Sequence, residues 1–418
     1  MRSFLFLLPF FPLALMSQIY DEAKVPEYEL PALLTFENGE SISHPAQWPL
    51  RRQELLHQLA HNVFGHVPTQ TGASMSVEVL ETGEKVLEGL AHRRQVRLTF
   101  AGNGQSLSVD VLLYVPAKAQ GKVPVFLGYN FFGNQSIHPD PAILITQSWT
   151  MDREEMGVKN HQATGASRGV RVSRWPVEQI LKAGYGLAVM YYGDIDPDVD
   201  DGFQNGIHPL FSASGQNKPA ETEWGSIAAW AWGLSRALDY LETEEWVDGE
   251  KVIVIGHSRL GKTSLWAGAT DERFAAVISN NSGCGGAALS RREFGETVRR
   301  INTRFPHWFN DRFVAYNENL AALPVDQHSL LAAIAPRPLY VASASEDLWA
   351  DPMGEFLATQ EASQVYEWLG RKGLTIDAFP EPNTPAIGRV SYHLRAGKHD
   401  LTAYDWEQYL KFADQWVK

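Results

Sequence analysis

The sequence predicts a three-layer α/β sandwich: a mostly parallel sheet with helices on both faces and an antiparallel amino-terminal edge. Three observations point there. From Val123 onward, short continuous apolar runs alternate with helical patterns, as strands buried on both faces of a parallel sheet require. Before Val123, three segments alternate apolar and polar residues, the mark of half-buried antiparallel strands. No internal repeat or low-complexity linker interrupts the 418 residues, so residues 18–418 read as one doubly wound domain with an amino-terminal lead-in.

In chain order, Met1-Arg2 precedes an apolar run from Phe4 to Met16 that ends at Ser17-Gln18. The run is too short for a membrane span and contains Pro9 and Pro12, so residues 1–17 are expected to be a cleaved signal peptide. The mature protein is then a secreted or periplasmic monomer with no membrane attachment. A lead-in with one helix over residues 47–65 follows, then the alternating strands 76–81, 94–100 and 107–116. The continuous runs are VPVFLGYN, GLAVMYYGD, KVIVIGH, FAAVISNN, PLYVASAS and VSYHLRAG. Between them, helices are expected over 221–243, 258–270, 326–335, 353–371 and 403–417. Two long irregular stretches, 131–175 and 283–325, are expected to carry function, because long loops in compact domains usually do.

Composition narrows the function. Hydrophobic residues at 44% and charged residues at 20% describe a globular chain. Lys and Arg number 36 against 49 Asp and Glu, a formal charge of −13 that argues against nucleic acid as a partner. The single cysteine, Cys284, excludes an intrachain disulfide and a cysteine-built metal site.

The strand KVIVI runs into Gly256-His257-Ser258-Arg259-Leu260-Gly261-Lys262-Thr263, which fits the phosphate-cradling G-x-x-x-x-G-K-[ST] pattern. The following strand ends in Asn280-Asn281 with no magnesium-binding aspartate, and an exported protein meets no ATP. The better reading is the nucleophile elbow of an α/β-hydrolase, with Ser258 on a tight strand-to-helix turn. The usual second glycine is displaced: Leu260 stands in its place and Gly261 comes one residue late. The remaining triad members follow in the order such folds use, an acid after PLYVASAS (Glu346 or Asp347) and His399 after VSYHLRAG. Ser258 then attacks, His399 relays the proton and Asp347 fixes the imidazole tautomer. A run of aspartates, GDIDPDVDDG, imitates a calcium loop. Counted from Asp196, however, Asp201 stands where glycine is required and Ile207 where glutamate is, so it is read as an Asp-rich turn.

The run GHSRLGKTSLWAGATDERFAAVISNNSGCGGAALSRREFGETV, with FLGYNFFGN, YYGDIDPD and RAGKHDLT, resembles the bacterial branch of the glucuronoyl esterases, carbohydrate esterase family fifteen. The resemblance covers Val123 to the carboxyl terminus and includes the elbow with its displaced glycine. It implies an α/β-hydrolase fold without cofactor or metal, acting on the 4-O-methyl-glucuronic acid ester of xylan in lignin–carbohydrate complexes. Carried over by position, it implies Ser258 as nucleophile, His399 as base and Arg259 as oxyanion donor through side chain and backbone. It also implies that Lys262 and Glu296 hold sugar hydroxyls and that Trp349, expected as an exposed indole, lines the sugar pocket. Fungal members place a glutamate where this chain has Asn281. The acid is therefore Asp347, as in other bacterial members, or its neighbour Glu346. Two other readings share the scaffold: an acetyl-xylan esterase or peptidase, and a carbohydrate-binding protein without turnover.

Overall fold

A computed structural model of the chain describes residues 18–68 and 73–418; the expected signal peptide, residues 1–17, lies outside the described residues. The main sheet has nine strands: β1 (Ser74–Lys85), β2 (Ala91–Gly102), β3 (Gln105–Pro116), β4 (Val123–Asn130), β7 (Gly186–Tyr191), β8 (Val247–His257), β9 (Ala276–Asn280), β10 (Leu339–Ala344) and β11 (Val390–Arg395). Two-residue strands β5 (Val158–Lys159) and β6 (Gln162–Ala163) form a separate hairpin. The order is β1-β2-β3-β7-β4-β8-β9-β10-β11. β1, β2, β3 and β7 pair antiparallel, and the six strands from β7 to β11 run parallel.

The helices are α1 (Trp48–Leu59), the short turn α2 (Val86–Gly89), α3 (Val177–Lys182), α4 (Ser226–Thr243), α5 (Arg259–Thr270), α6 (Val298–Arg304), α7 (Gln327–Ala332), α8 (Pro352–Trp368) and α9 (Ala403–Trp416). Strand side chains alternate between two cores. On β8, Val252 and Val254 face a large core shared with α1, α4, α5, α7 and α8, while Ile253 and Ile255 face a smaller one shared with α3 and α9. Period-two alternation with both faces apolar is why these strands read as continuous runs. The outer strand β1 is mostly exposed rather than half-buried, whereas β11 at the opposite edge is fully buried.

The lead-in clamps the helical layer. Arg51 donates to the carbonyls of Leu33 and Ala32, and Arg52 donates to those of Ala333 and Ala269, both at 2.6 Å. At its start, Glu22 pairs with buried Arg292, and Ile19 accepts a bond from the Gly295 N–H at 2.9 Å. The first residues described therefore brace the loop that carries Glu296.

Gly256, at the end of β8, is required by crowding. A Cβ there would lie 1.8 Å from the Leu260 carbonyl oxygen, which belongs to the first turn of α5. Gly39, by contrast, has φ +88° and open space around it. Gly256→Ala should lower the thermal unfolding midpoint well beyond Gly39→Ala, where only the left-handed backbone opposes a side chain, at about 1–2 kcal/mol. Equal shifts in a melting experiment would contradict this packing.

Candidate active site

Ser258 sits between β8 and α5 with φ +60° and ψ −129°, a conformation that a non-glycine residue holds only when its surroundings impose it. Its N–H donates to Asn280 O at the end of β9, 2.9 Å away. The displaced glycine has a packing cause. A Cβ on Gly261 would lie 2.9 Å from Ser282 Cβ and 3.1 Å from Ser279 Oγ, so it is here that the first turn of α5 approaches β9.

Two loops at the carboxyl edge meet beside this turn. Asp347 follows β10, and its Oδ2 lies 2.5 Å from His399 Nδ1 in the loop after β11. Asn281 Nδ2 donates to the same carboxylate oxygen at 3.0 Å. The acid facing His399 is thus Asp347, which is buried, while Glu346 is exposed. The His399 loop is held from below by Arg395, which donates to the carbonyls of Lys398 and Asp400 and pairs with buried Asp405. His257 packs its ring 4.6 Å from that of His399. Burial, the nearby Arg174 and His399 itself push His257 well below the ordinary histidine range, so it is neutral at pH 7. Its Nδ1 lies 2.6 Å from Asn280 Oδ1.

Ser258, His399 and Asp347 line one cavity of about 330 Å³, together with Arg259, Lys262, Glu296 and Trp349. The structure therefore brings all seven residues singled out from the sequence to one place. Lys262 is buried, not solvated. It donates to Ser282 O and lies 3.9 Å from Glu296 Oε2. Burial drives both groups toward neutrality, lowering Lys262 and raising Glu296, and their mutual attraction opposes it. Glu296 takes no partner from the arginines around it in sequence: Arg291 pairs with Asp326, Arg292 with Asp351 and Glu22, and Arg299 with Glu318. Trp349 is half-buried, not fully exposed, because its turn is tied to Glu296 by a backbone bond of 3.0 Å and the Arg300 guanidinium lies 5.7 Å from its ring.

Arg259 is surrounded by Trp308 at 4.7 Å, Phe305 at 5.5 Å and Phe131 at 5.8 Å. It pairs with Asp198, while its buried Nε has no protein partner. The loop after β4 contributes Phe131, but the Phe132 N–H there is already donated to Asn130 Oδ1 at 3.3 Å. Sequence reasoning did not single out Phe305 or Trp308 at the cavity wall; the aromatic cluster FPHWF inside the stretch 283–325 was the available signal. A larger recess of about 850 Å³ lies between α1, α4 and α5, and none of the seven residues lines it.

A nucleophile on a strained turn, an imidazole backed by a carboxylate and an unpaired guanidinium N–H together suit acyl transfer. The comparisons agree. The family description "Glucuronyl esterase, fungi" matches residues 216–370. Carbohydrate esterase MZ0003, from an unknown prokaryotic organism, is 50% identical over 396 residues, 94% of this chain and 91% of that one. The chain belongs to carbohydrate esterase family 15, the glucuronoyl esterases. Two solved members align over nearly the whole fold. The glucuronoyl esterase of Solibacter usitatus has a TM-score of 0.90 and 46% identity over 95% of this chain and 100% of its own. A promiscuous family 15 esterase from a marine bacterial metagenome has a TM-score of 0.90 and 49% identity, covering 96% and 100%. The fold is accordingly that of an α/β-hydrolase, and the chain is a carboxylic ester hydrolase. Among the described residues, no helix is long and apolar enough to cross a membrane.

The cavity floor of this family 15 member rests on Glu355. Its Oε1 accepts the N–H groups of Ser282 and Gly283 at 2.7 and 2.9 Å, and its Oε2 lies 2.5 Å from Ser343 Oγ. Burial raises its pKa from 4.5 to about 7. Across that interval the folded chain binds the proton and the unfolded chain does not, so this group's contribution to stability falls as pH rises. Between pH 5 and 7, Glu355→Gln should flatten the decline of the unfolding midpoint with pH. An unchanged slope in calorimetry would count against it.

Proposed function

We propose that this chain hydrolyses esters of 4-O-methyl-glucuronic acid on glucuronoxylan, freeing the lignin alcohol through an acyl-enzyme on Ser258. The carrying observation is one cavity lined both by Ser258 and His399 and by the buried Lys262–Glu296 pair. His399 takes the proton of the Ser258 hydroxyl as Oγ attacks the ester carbonyl carbon. The tetrahedral oxyanion is met by the Arg259 N–H, free as the first residue of α5, and by the Arg259 guanidinium. When the intermediate collapses, the carbon–oxygen bond to the alcohol breaks and His399 returns the proton to the leaving oxygen. Water, deprotonated by His399, then attacks the acyl-enzyme and releases the uronic acid and the free hydroxyl of Ser258. Asp347 holds His399 in the required tautomer, and Asn281 orients Asp347 instead of replacing it.

Lys262 and Glu296 bind the hydroxyls of the uronate ring, and the half-buried Trp349 offers the ring an apolar face. A pair so deeply buried needs partners rich in hydrogen-bonding groups, which a sugar supplies and an acetyl group does not. Residues 1–17, read as a signal peptide, direct the enzyme out of the cytoplasm to where the polymer is. A broader ester range is the second reading, favoured by the promiscuous marine relative.

The test compares benzyl glucuronate with a simple acetyl ester. Ser258→Ala should abolish uronate ester cleavage, a loss of about 10⁴-fold or more in kcat. Lys262→Ala should raise KM for the uronate ester about tenfold and much less for the acetyl ester, as loss of a hydrogen-bonded contact does. Cleavage of the acetyl ester alone would discard the uronate assignment. Sugar binding with no cleavage of either would leave a binding protein.

A further inference from the structure

The Asp-rich turn GDIDPD, whose resemblance to a calcium loop fails on spacing, holds a buried carboxylate with a different partner. Asp198 lies beyond β7, and its oxygens are occupied on four sides. Tyr192 OH donates to Oδ2 at 2.9 Å and the Arg259 guanidinium pairs with the same oxygen. His307 Nε2 lies 3.0 Å from Oδ1, and Trp308 Nε1 donates to Oδ1 at 2.7 Å. A carboxylate offers about four acceptor sites, so Asp198 has none left for another group. His307 Nδ1 is buried with no partner among the described residues, so the ring meets Asp198 through Nε2 alone.

The same elements fix the guanidinium from its face. Trp308 donates to Asp198 through its indole N–H and lies 4.7 Å from the Arg259 guanidinium through its ring. The first turn of α4 anchors both sides of this arrangement. The Ser226 and Ile227 N–H groups donate to the carbonyls of His307 and Trp308 at 2.8 and 3.0 Å. The Ser226 hydroxyl and the Trp230 indole N–H bond to the Asp196 carboxylate and carbonyl two residues before Asp198.

We propose that Asp198 is a positioning residue for catalysis: it fixes the plane of the Arg259 guanidinium, which lines the cavity beside Ser258, at the oxyanion site. The geometry explains why the arginine beside the nucleophile does not swing toward Glu296, a carboxylate that lines the cavity. It also gives the aspartate motif a role in ester hydrolysis that acts through Arg259. The inference rests on the proposed reading of Arg259 as an oxyanion donor.

The test is a double-substitution cycle in the full chain, with kcat and KM measured on benzyl glucuronate. Arg259→Ala should lower kcat about 10²- to 10³-fold, the usual effect of losing one oxyanion donor. Asp198→Asn should lower kcat about 10- to 100-fold with KM changed less than about threefold, since a donor aimed at the transition state is lost and not a ground-state contact. In the Arg259→Ala background, Asp198→Asn should cause no further loss. A purely structural aspartate would lower kcat by the same factor in both backgrounds, and that result overturns the proposal, as does an unchanged kcat in Asp198→Asn. An unchanged kcat in Arg259→Ala would overturn the oxyanion reading itself, and the proposal with it. Should Asp198→Asn not fold, Tyr192→Phe removes one donor from the carboxylate and carries the same test: a several-fold loss of kcat, absent when Arg259 is already alanine.

Discussion

The left-handed backbone of Ser258 is the constraint from which the rest of the site is built. At φ +60° and ψ −129°, an alanine-like residue gives up about 1–3 kcal/mol relative to a relaxed conformation. The turn persists because β8 and α5 are fixed independently on either side. β8 is paired with β4 and β9 and covered on both faces, and α5 is packed against the end of β9 through Gly261. Gly256 leaves the space that the Leu260 carbonyl occupies, so the chain can reverse within four residues. The strain lifts one hydroxyl out of the sheet edge and places the first free N–H of a helix beside it.

Around that turn, charges are buried in pairs rather than singly. Lys262 with Glu296, Arg395 with Asp405 and Arg292 with Asp351 are all withdrawn from water, and partly exposed Arg259 is paired with buried Asp198. A buried pair is weak support for stability, because desolvation offsets most of the attraction. What such pairs supply is direction: each fixes a donor or a loop whose angle matters. Arg395 shows this most plainly, since its donors go to the two carbonyls flanking His399. The Lys262–Glu296 pair differs from the others. At 3.9 Å it is loose, and both groups are pushed toward neutrality, so it keeps hydrogen-bonding capacity for a ligand.

Much of this was legible in the sequence, for identifiable reasons. The parallel strands announced themselves because burial on both faces leaves no polar residue in runs such as VIVI and LAVM. Ser258, Asp347 and His399 were readable because the fold puts each at the carboxyl end of a strand, where a short run stops and a loop begins. Strand β1 was legible as a strand but not in its burial, which depends on what packs against it. The contacts of Asp198, Phe305 and Trp308 were not legible. They join residue 198, residue 259 and the segment 305–308, which are about 45 or more residues apart, and neither periodicity nor a local motif reports which loops will meet. Asn281 is the instructive case. In the sequence, an amide where fungal members carry a glutamate moved the acid to Asp347 or Glu346 and left a role for Asn281 open; the amide donates to the Asp347 carboxylate, whose other partner is His399.

That replacement bears on how selectivity is divided within the cavity. With a carboxylate supplied after β10, the position after β9 serves as a hydrogen-bond donor, and the segment from Asn281 to Gly283 lines the cavity. Glu355 holds that segment through two backbone N–H groups, and Ser282 offers its carbonyl to Lys262. The segment beside Ser258 and the Lys262 side chain are thereby joined through a few buried bonds. On the proposed reading, a sugar bound by Lys262 and Glu296 acts on the same segment that borders Ser258, whereas a small ester leaves those groups without their hydrogen bonds. Sites of this kind discriminate strongly against analogues that lack the polar groups they were built to bind. On the proposed reading, a preference for a uronate over an acetyl ester would rest less on Ser258, His399 and Asp347 than on the buried polar pair Lys262 and Glu296.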